Sequence, residues 1–285
     1  MISIIICSRR ADISDELRTN IATTIGCEYE LCVIDNSSNS YNIFTAYNEG
    51  VKRAKGDVLC FMHDDIRFVS EEWGRAVHEV FDSDATVGCV GVVGTHLMPD
   101  TPSGWYHSML TSGGCIQNTG GKKVNQQDLS HFKDKTLIEA VAIDGMWFCV
   151  PKKVFDESNV LFDDATYNGF HCYDLDICMQ IRAAGYKVMI ASQILLEHSS
   201  LGSFDMAWWG QTQLFYNKWR KTLPQNAGMI VSDKEIEVRT QMVKQVMVWL
   251  TCYAKSESER KGILSSKAYR LGKALLSPFS FLKRR

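Results

Sequence analysis

A chain of 285 residues, 45% hydrophobic and 22% charged, has the make-up of an ordinary folded protein with ample material for a core, and its formal net charge of -2 excludes any global attraction to nucleic acid. No run approaches the ~20 apolar residues that span a bilayer, so the chain is not expected to cross a membrane. Ten cysteines are scattered, many of them inside apolar runs (Cys7, Cys32, Cys60, Cys89, Cys149) and none in a C-x-x-C pair, which reads as reduced core thiols of a cytosolic protein rather than a disulfide framework or a structural zinc site.

Ile2 to Cys7 is a β-branched run, too short for a signal sequence, that ends in Ser8, Arg9 and Arg10 and so predicts a buried first strand. Ile13, Leu17, Ile21 and Ile25 recur every four residues, which predicts a helix capped by Ser14 and stopped at Gly26. Glu30 to Asp35 predicts a second strand whose turn is Asn36 to Asn39, and Ile43, Tyr47, Gly50, Val51 and Ala54 mark a second helix stopped by Gly56. Val58 to Met62 is an unbroken apolar run of the kind buried on both faces of a parallel sheet, and it ends in His63, Asp64 and Asp65. Strand, helix, strand, helix, strand is the βαβ signature of a parallel sheet with covered faces. Three strand ends then share one edge, carrying Ser8 with Arg9, Asp35 with Asn36, and Asp64 with Asp65. Ligands in such sheets bind at that edge, and paired carboxylates there suit a hard divalent cation carrying a diphosphate, although Asp-Asp in a loop is also common as a solvated turn. The first turn, SRRAD, holds no G-x-G-x-x-G, which excludes a dinucleotide-binding oxidoreductase, and the missing glycine-rich loop disfavours a nucleotidylyltransferase.

Glu71 to Phe81 predicts a helix with Trp73, Val77 and Val80 inward, and Val87 to Gly94 another strand. Residues 96–140 have loose patterning and two Gly-Gly pairs, so a mobile insert is expected there. Ala140 to Val150 predicts a strand interrupted at Asp144-Gly145, with Pro151 opening a short helix. Around Asp163, Asp164, His171, Asp174 and Asp176 the chain is at its most acidic. Leu175, Cys178 and Ile181 give helical spacing that puts Asp174 in a first turn, where the helix dipole favours its ionised form and where acids also serve simply as caps. Tyr186 to Ala191 predicts a strand, and a further apolar run ends at Glu197 and His198. The stretch from Ser203 is aromatic (Phe204, Trp208, Trp209, Phe215, Tyr216, Trp219), Ile236 to Tyr253 predicts an amphipathic helix, and Lys255 to Arg285 interleaves basic residues with Leu271, Leu275, Leu276, Phe279, Phe281 and Leu282. Such a tail suits adsorption to an anionic membrane surface, or is simply solvated.

In order, the stretches SIIICSRR, VIDNSS, YNEGVKRAKGDVLCFMHDD, AIDGMWFCVPKKVFDE, NGFHCYDLDICMQIRAAGYKV and LLEHSSLGS resemble the inverting family 2 glycosyltransferases of GT-A fold, especially the bacterial enzymes of surface-polysaccharide synthesis. The resemblance covers Ile2 to Gly202. It implies an α/β fold with a mostly parallel central sheet covered by helices, divided into a catalytic domain at residues 1–202 and a helical extension at 203–285. It implies a cytoplasmic enzyme, peripheral on the inner membrane face if the tail binds there, that uses Mn²⁺ or Mg²⁺, takes a nucleoside-diphosphate sugar (first of all a UDP-sugar) as donor and a glycan or lipid-linked hydroxyl as acceptor, and has no nucleic-acid partner.

Position by position, the resemblance makes Asp174 the catalytic base and Asp65 with His198 the metal ligands. It puts Ser8, Arg9, Asp35, Asn36, His63, Asp64, Asp144 and Gly145 around the donor. His63 stands where the family's D-x-D has its first acid, and Tyr173 where the family's Glu-Asp pair has glutamate. Trp147, Tyr173, Trp208 and Trp209 are the aromatic candidates for the acceptor side, since sugar rings stack on aromatic faces. Such an enzyme must hold the charge of a leaving diphosphate and accept a proton from the attacking hydroxyl, which a cation on carboxylate and imidazole and a separate carboxylate can do. The two departures at positions 63 and 173 leave a non-catalytic sugar-nucleotide or glycan-binding relative as the alternative. A glycoside hydrolase, which also pairs acids, is the more distant one.

Overall fold

The structure is a computed structural model and describes residues 1–271 except 134, 230 and 270. The first third of the chain forms β1 (Ile2–Ser8), α1 (Asp15–Thr24), β2 (Tyr29–Asp35), α2 (Ile43–Arg53), β3 (Val58–Met62), β4 (Ile66–Phe68) and α3 (Trp73–Ser83). Local chemistry sets these boundaries. The Ser14 hydroxyl accepts from the Leu17 N–H and the Asn42 side chain from the Thr45 N–H, each satisfying an orphan donor of a first turn. Gly26, at φ +71°, turns the chain out of α1. β1 lies between β2 and β3 and is parallel to both, so Ile5 stands beside Cys32 on one side and Phe61 on the other.

The remainder comprises β5 (Val87–Gly91), β6 (Val93–Thr95), β7 (Leu97–Met98), a 3₁₀ turn at Trp105–Ser108, β8 (Thr111–Gly113), β9 (Ile116–Thr119), β10 (Lys122–Asn125), β11 (Leu137–Ala140), β12 (Ala142–Ile143), β13 (Trp147–Pro151), α4 (Lys152–Ser158), α5 (Tyr173–Ala183), β14 (Lys187–Ala191), β15 (Leu196–His198), α6 (Met206–Trp219), β16 (Gln225–Asn226) and α7 (Asp233–Ser265). The main sheet has seven strands in the order β11-β14-β5-β13-β3-β1-β2. Five of these strands run the same way and two run against them: β13 is antiparallel to both β3 and β5, and β11 to β14. The reason lies at Asp144-Gly145. That turn sits at the carboxyl end of β3, where the His63 N–H donates to the Met146 carbonyl, so the chain re-enters the sheet from the site edge and must run backwards.

Alternate residues of the central strands feed two apolar layers, one on each face. Ile5, Leu59, Phe61 and Phe148 join Phe44, Tyr47 and Phe162 on one side, while Ile4, Ile6, Cys60 and Trp147 join Trp73 and Phe68 on the other.

Residues 96–140, expected to be loosely ordered, are instead built into the body. β9 and β10 form a hairpin across Gly120 and Gly121, both at positive φ (+60° and +86°) as a two-residue primed turn requires. The hairpin completes a second sheet, β10-β9-β15-β4. Its Lys123 ammonium sits 2.6 Å from the Glu197 carboxylate, which clamps the strand that carries His198.

α6 follows the boundary expected at residue 202, yet it packs into the same core. Phe215 is buried there, and Lys218 and Trp219 reach the buried carboxylate of Asp176 on α5, with the indole N–H donating at 2.8 Å. Tyr167 and Gln180 donate to the same carboxylate, so the charge is fully met. α7 lies on α6 through Val243, Met247 and Trp208. Among the described residues no helix is long and apolar enough to cross a membrane. The tail positions Leu275, Leu276, Phe279, Phe281 and Leu282 lie outside the described residues.

Replacing Lys218 by methionine would strand the Asp176 carboxylate under α6. Breaking a wholly buried pair costs about 3–5 kcal/mol, and because Lys218 keeps 26% of its side-chain surface the expected loss is about 2–3 kcal/mol in urea unfolding. A loss below about 0.5 kcal/mol, the size of an ordinary surface change, would mean that the pair does not tie α6 to the body.

Candidate functional site

The site edge is assembled by the two sheets together. β3 delivers His63, Asp64 and Asp65. β4, next in the chain, runs antiparallel to β15 with Ile66 opposite His198, and the Ser199 N–H donates to the Asp65 carbonyl. Backbone pairing thus carries His198 back to Asp65 across more than 130 residues of chain. The His198 Nε2 lies 3.5 Å from the Asp65 carboxylate, 3.3 Å from the His63 Nδ1 and 3.2 Å from the Ser200 hydroxyl. The Gln117 amide on β9 donates to the carbonyls of His198 and Ser200, holding that strand end in place.

His63, Asp65 and His198 each offer one ligand atom, and these three atoms lie within 4.8 Å of one another. Two imidazole nitrogens and a carboxylate oxygen converging in this way fit a divalent transition-metal ion, for which imidazole and carboxylate are ordinary ligands. The electrostatics agree. Burial works against ionisation of Asp65, but the His198 hydrogen bond and charge, helped by the Ser200 hydroxyl and His63, hold it at about 2. Burial, and then the neighbouring His198, push His63 towards its neutral, ligating form.

The second carboxylate enters from α5. Cys172, at φ +62°, turns the chain sharply into the helix, so that Tyr173 and Asp174 both meet the Asp144-Gly145 turn. The Asp174 carboxylate accepts from the Gly145 and Leu175 N–H groups at 3.0 and 2.9 Å. The Tyr173 hydroxyl donates to the Gly145 carbonyl at 3.1 Å and lies 2.7 Å from the His63 Nε2. Asp174 is therefore next to the imidazole and carboxylate corner, linked to it through Gly145 and the Tyr173 hydroxyl. Its pKa is raised from 3.8 to about 7, by burial first and the Asp144 charge second, against the opposing N–H donors. The helix start was expected to favour the ionised form, but desolvation outweighs that effect here.

The other positions around the donor divide. Asp64 accepts from the Ser8 hydroxyl at 2.7 Å, with the Arg10 guanidinium 3.9 Å away. Asp35 is exposed at the rim, its pKa lowered by the Ser37 hydroxyl and N–H, and Arg9 is also exposed. Asp144 accepts from the Met146 N–H and from the Trp105 indole at 3.0 Å. Asn36 requires a correction: its amide both donates to and accepts from the Tyr41 backbone, so its side chain closes its own loop and is not offered to a ligand.

Three of the four aromatic candidates also need correcting. Trp147 is fully buried, edge-on to Phe68 and Trp73. Tyr173 is buried, and its hydroxyl is committed to His63 and Gly145. Trp208 is buried among Phe204, His107 and α7. Of the four, Trp209 alone is left half-exposed. Trp105, Gln117 and Ser200 were not singled out from sequence. Trp105 and Gln117 fall in the stretch read as loose, and nothing in the pattern around Ser200 marks it.

A model described as "Glycosyltransferase like family" matches residues 3–213, from β1 into α6. Streptomycin biosynthesis protein StrF of Streptomyces griseus is 27% identical over 173 residues, which are 59% of this chain and 56% of that protein. The match thus spans little more than half the length of this relative. Among solved structures, GalNAc-T7 with UDP, GalNAc and Mn²⁺ is similar at TM-score 0.49 and 16% identity, over 71% of this chain and 43% of that one. TarS of S. aureus (residues 1–349) with UDP-GlcNAc is similar at TM-score 0.47 and 12% identity, over 71% and 59%. Likenesses of that size settle nothing about chemistry.

The raised carboxylate has a consequence for stability. Between 3.8 and about 7 the folded chain holds a proton on Asp174 that the unfolded chain has released, so this group makes stability fall as pH rises through that window, and the cost is complete above it. Asp174→Asn removes the cost of the buried charge, at the loss of one of the two N–H hydrogen bonds that the carboxylate accepts, a loss present at every pH. Without added metal its melting temperature relative to that of the wild type should be several degrees higher at pH 8 than near pH 4. A difference that stays the same at the two pH values would show that the ionised carboxylate is not penalised.

Proposed function

The chain belongs to the glycosyltransferase-like family, and from that premise we propose that it is a metal-dependent, inverting transferase moving a sugar from a nucleoside diphosphate to a hydroxyl of a glycan or lipid-linked acceptor. Its fold is of the GT-A kind and it is a transferase. The alternative of a glycoside hydrolase falls with the family. Metal dependence, donor and acceptor are the proposed part. The single observation that supports them is the sharing of one residue, Gly145, between the Asp174 carboxylate and, through Tyr173, the His63, Asp65, His198 corner.

In this reading His63, Asp65 and His198 would hold a divalent cation, Mn²⁺ before Mg²⁺. When bound it supplies the positive charge that a leaving diphosphate needs. Asp64, with Ser8 and Arg10 behind it, lies beside that corner and faces the donor's ribose or sugar. Asp35 and Arg9 at the exposed rim meet the base and phosphates. Asp144, fixed by Trp105 and Met146, borders the sugar.

The acceptor oxygen attacks the anomeric carbon opposite the diphosphate. The new carbon–oxygen bond forms as the bond to the phosphate oxygen breaks, the diphosphate leaves with the electron pair, and the acceptor's proton passes to Asp174. A carboxylate near neutrality is well matched to this task, since general-base catalysis is most effective when the base titrates near the working pH. Inversion follows from a single displacement. Bacterial surface-polysaccharide synthesis is the proposed setting, with a UDP-sugar the first donor to try. The basic and apolar C-terminal sequence supports a place on the cytoplasmic face of an anionic membrane.

Asp174→Asn should lower kcat by about 10²- to 10⁴-fold while donor affinity in Mn²⁺ stays within a few-fold. In the wild type, kcat/KM should rise with pH up to about 7 and then level off, since only the ionised carboxylate accepts the proton. Unchanged turnover in the variant would remove Asp174 from the reaction. A panel of nucleoside diphosphates and their sugars, with and without Mn²⁺, read by melting temperature, tests the donor class. No shift with any of them would count against a nucleotide-sugar donor.

A further inference from the structure

We infer that Tyr173 is a positioning residue that fixes the tautomer of His63 and thereby makes the His63 Nδ1 a metal-binding atom beside Asp65 and His198. The inference rests on the metal-dependent reading above and deepens it.

Both contacts of the Tyr173 hydroxyl can be hydrogen bonds in one arrangement only. The Tyr173 oxygen lies 3.1 Å from the Gly145 carbonyl oxygen and 2.7 Å from the His63 Nε2. A carbonyl can only accept, so the single phenolic proton goes to Gly145, and the phenolic oxygen must accept from the imidazole. The His63 Nε2 therefore carries the proton. In the neutral ring that leaves Nδ1 as a bare lone pair, and Nδ1 faces the His198 Nε2 at 3.3 Å and the Asp65 carboxylate at 3.9 Å. An imidazole that donates its outer N–H to a fixed acceptor while offering its inner lone pair is how metal-binding histidines are usually oriented.

The acceptor is well fixed. Tyr173 is buried, with its ring edge-on to Phe44 and Tyr47, and a Cβ on Gly145 would strike its hydroxyl. Positions 63 and 173 are also the two at which this chain departs from the pattern it resembles, and here they touch each other. The result is a corner of two nitrogens and one oxygen rather than of carboxylates alone. Such a set ranks Co²⁺ and Mn²⁺ well ahead of Mg²⁺, which prefers oxygen.

The test is Mn²⁺ binding to donor-free protein, followed by electron paramagnetic resonance of the free ion, together with ¹⁵N resonances of the histidine rings in metal-free protein. Tyr173→Phe keeps the ring packing and removes the hydroxyl. It should weaken Mn²⁺ binding about tenfold and turn a pure Nε2–H signal of His63 into a mixture of tautomers. His63→Asn should weaken binding at least as much, and Tyr173→Phe should add nothing in its presence, because the tyrosine acts only through that ring. A role confined to packing would leave the tautomer unchanged. Mn²⁺ affinity within twofold of wild type in both single variants overturns the inference but not the metal-dependent reading. A wild-type protein that binds no Mn²⁺ overturns both. A proton found on the His63 Nδ1 in the wild type overturns this assignment alone.

Discussion

One residue, Gly145, does two things at once: its N–H donates to the Asp174 carboxylate and its carbonyl accepts from the Tyr173 hydroxyl. Because Tyr173 and Asp174 are neighbours at the start of α5, both hydrogen bonds can form only if the turn lies across the helix's first residues with no side chain between them. That is why the position must be glycine: any Cβ would meet the phenol. The turn is in turn held by its sheet context. Asp144 caps Met146 and receives the Trp105 indole, while the Asp144 N–H donates to the Val93 carbonyl on β6. A small error in this turn would separate the Asp174 carboxylate from the imidazole corner.

Much of this frame could be read from sequence, for physical reasons that also explain what could not. α1 and α2 carry apolar residues every three or four positions, so Ser14 caps α1 as the pattern predicts and α2 starts at Ile43, the first residue of its apolar series, with Asn42 as its cap. His63, Asp64 and Asp65 follow an unbroken apolar run, and the run is indeed a strand buried along its whole length. Trp147 lies in the core because β13 is buried on both faces, and in such a strand alternation cannot say which aromatic faces a cleft. The β9–β10 hairpin has a signature of its own in the sequence. Gly120-Gly121 between short alternating runs is a hairpin signal, but in a stretch rich in polar residues it read as looseness.

The contacts that bring the site together left no trace in the sequence. Tyr173 meets His63 across 110 residues, and Ser8 meets Asp64 across 56. Neither pairing produces a period or a motif. Trp105 is a further case, since its indole finds Asp144 only because β6, β8 and β12 form a sheet beneath both. What the chain did display was each partner at the end of its own element, and strand order then decided which ends met.

The two carboxylates differ in charge state because their neighbours differ, not because of their chemistry. Asp65 looks onto imidazoles and a hydroxyl that overcome its burial and is held at about 2, whereas Asp174 is raised to about 7 by burial first and by the Asp144 charge second, against its N–H donors. One is thus a permanent negative charge suited to a cation, and the other a group that can gain and lose a proton near neutrality. Asp174 stays part-buried beside a like charge, and an asparagine there would shed that charge while accepting from only one of the Gly145 and Leu175 N–H groups. The same structure spends four donors from α5, α6 and the loop before α5 on satisfying Asp176, also buried and also on α5. The contrast between two acids two residues apart, one saturated with donors and one left under-compensated, is the strongest physical reason to regard Asp174 as the reacting group.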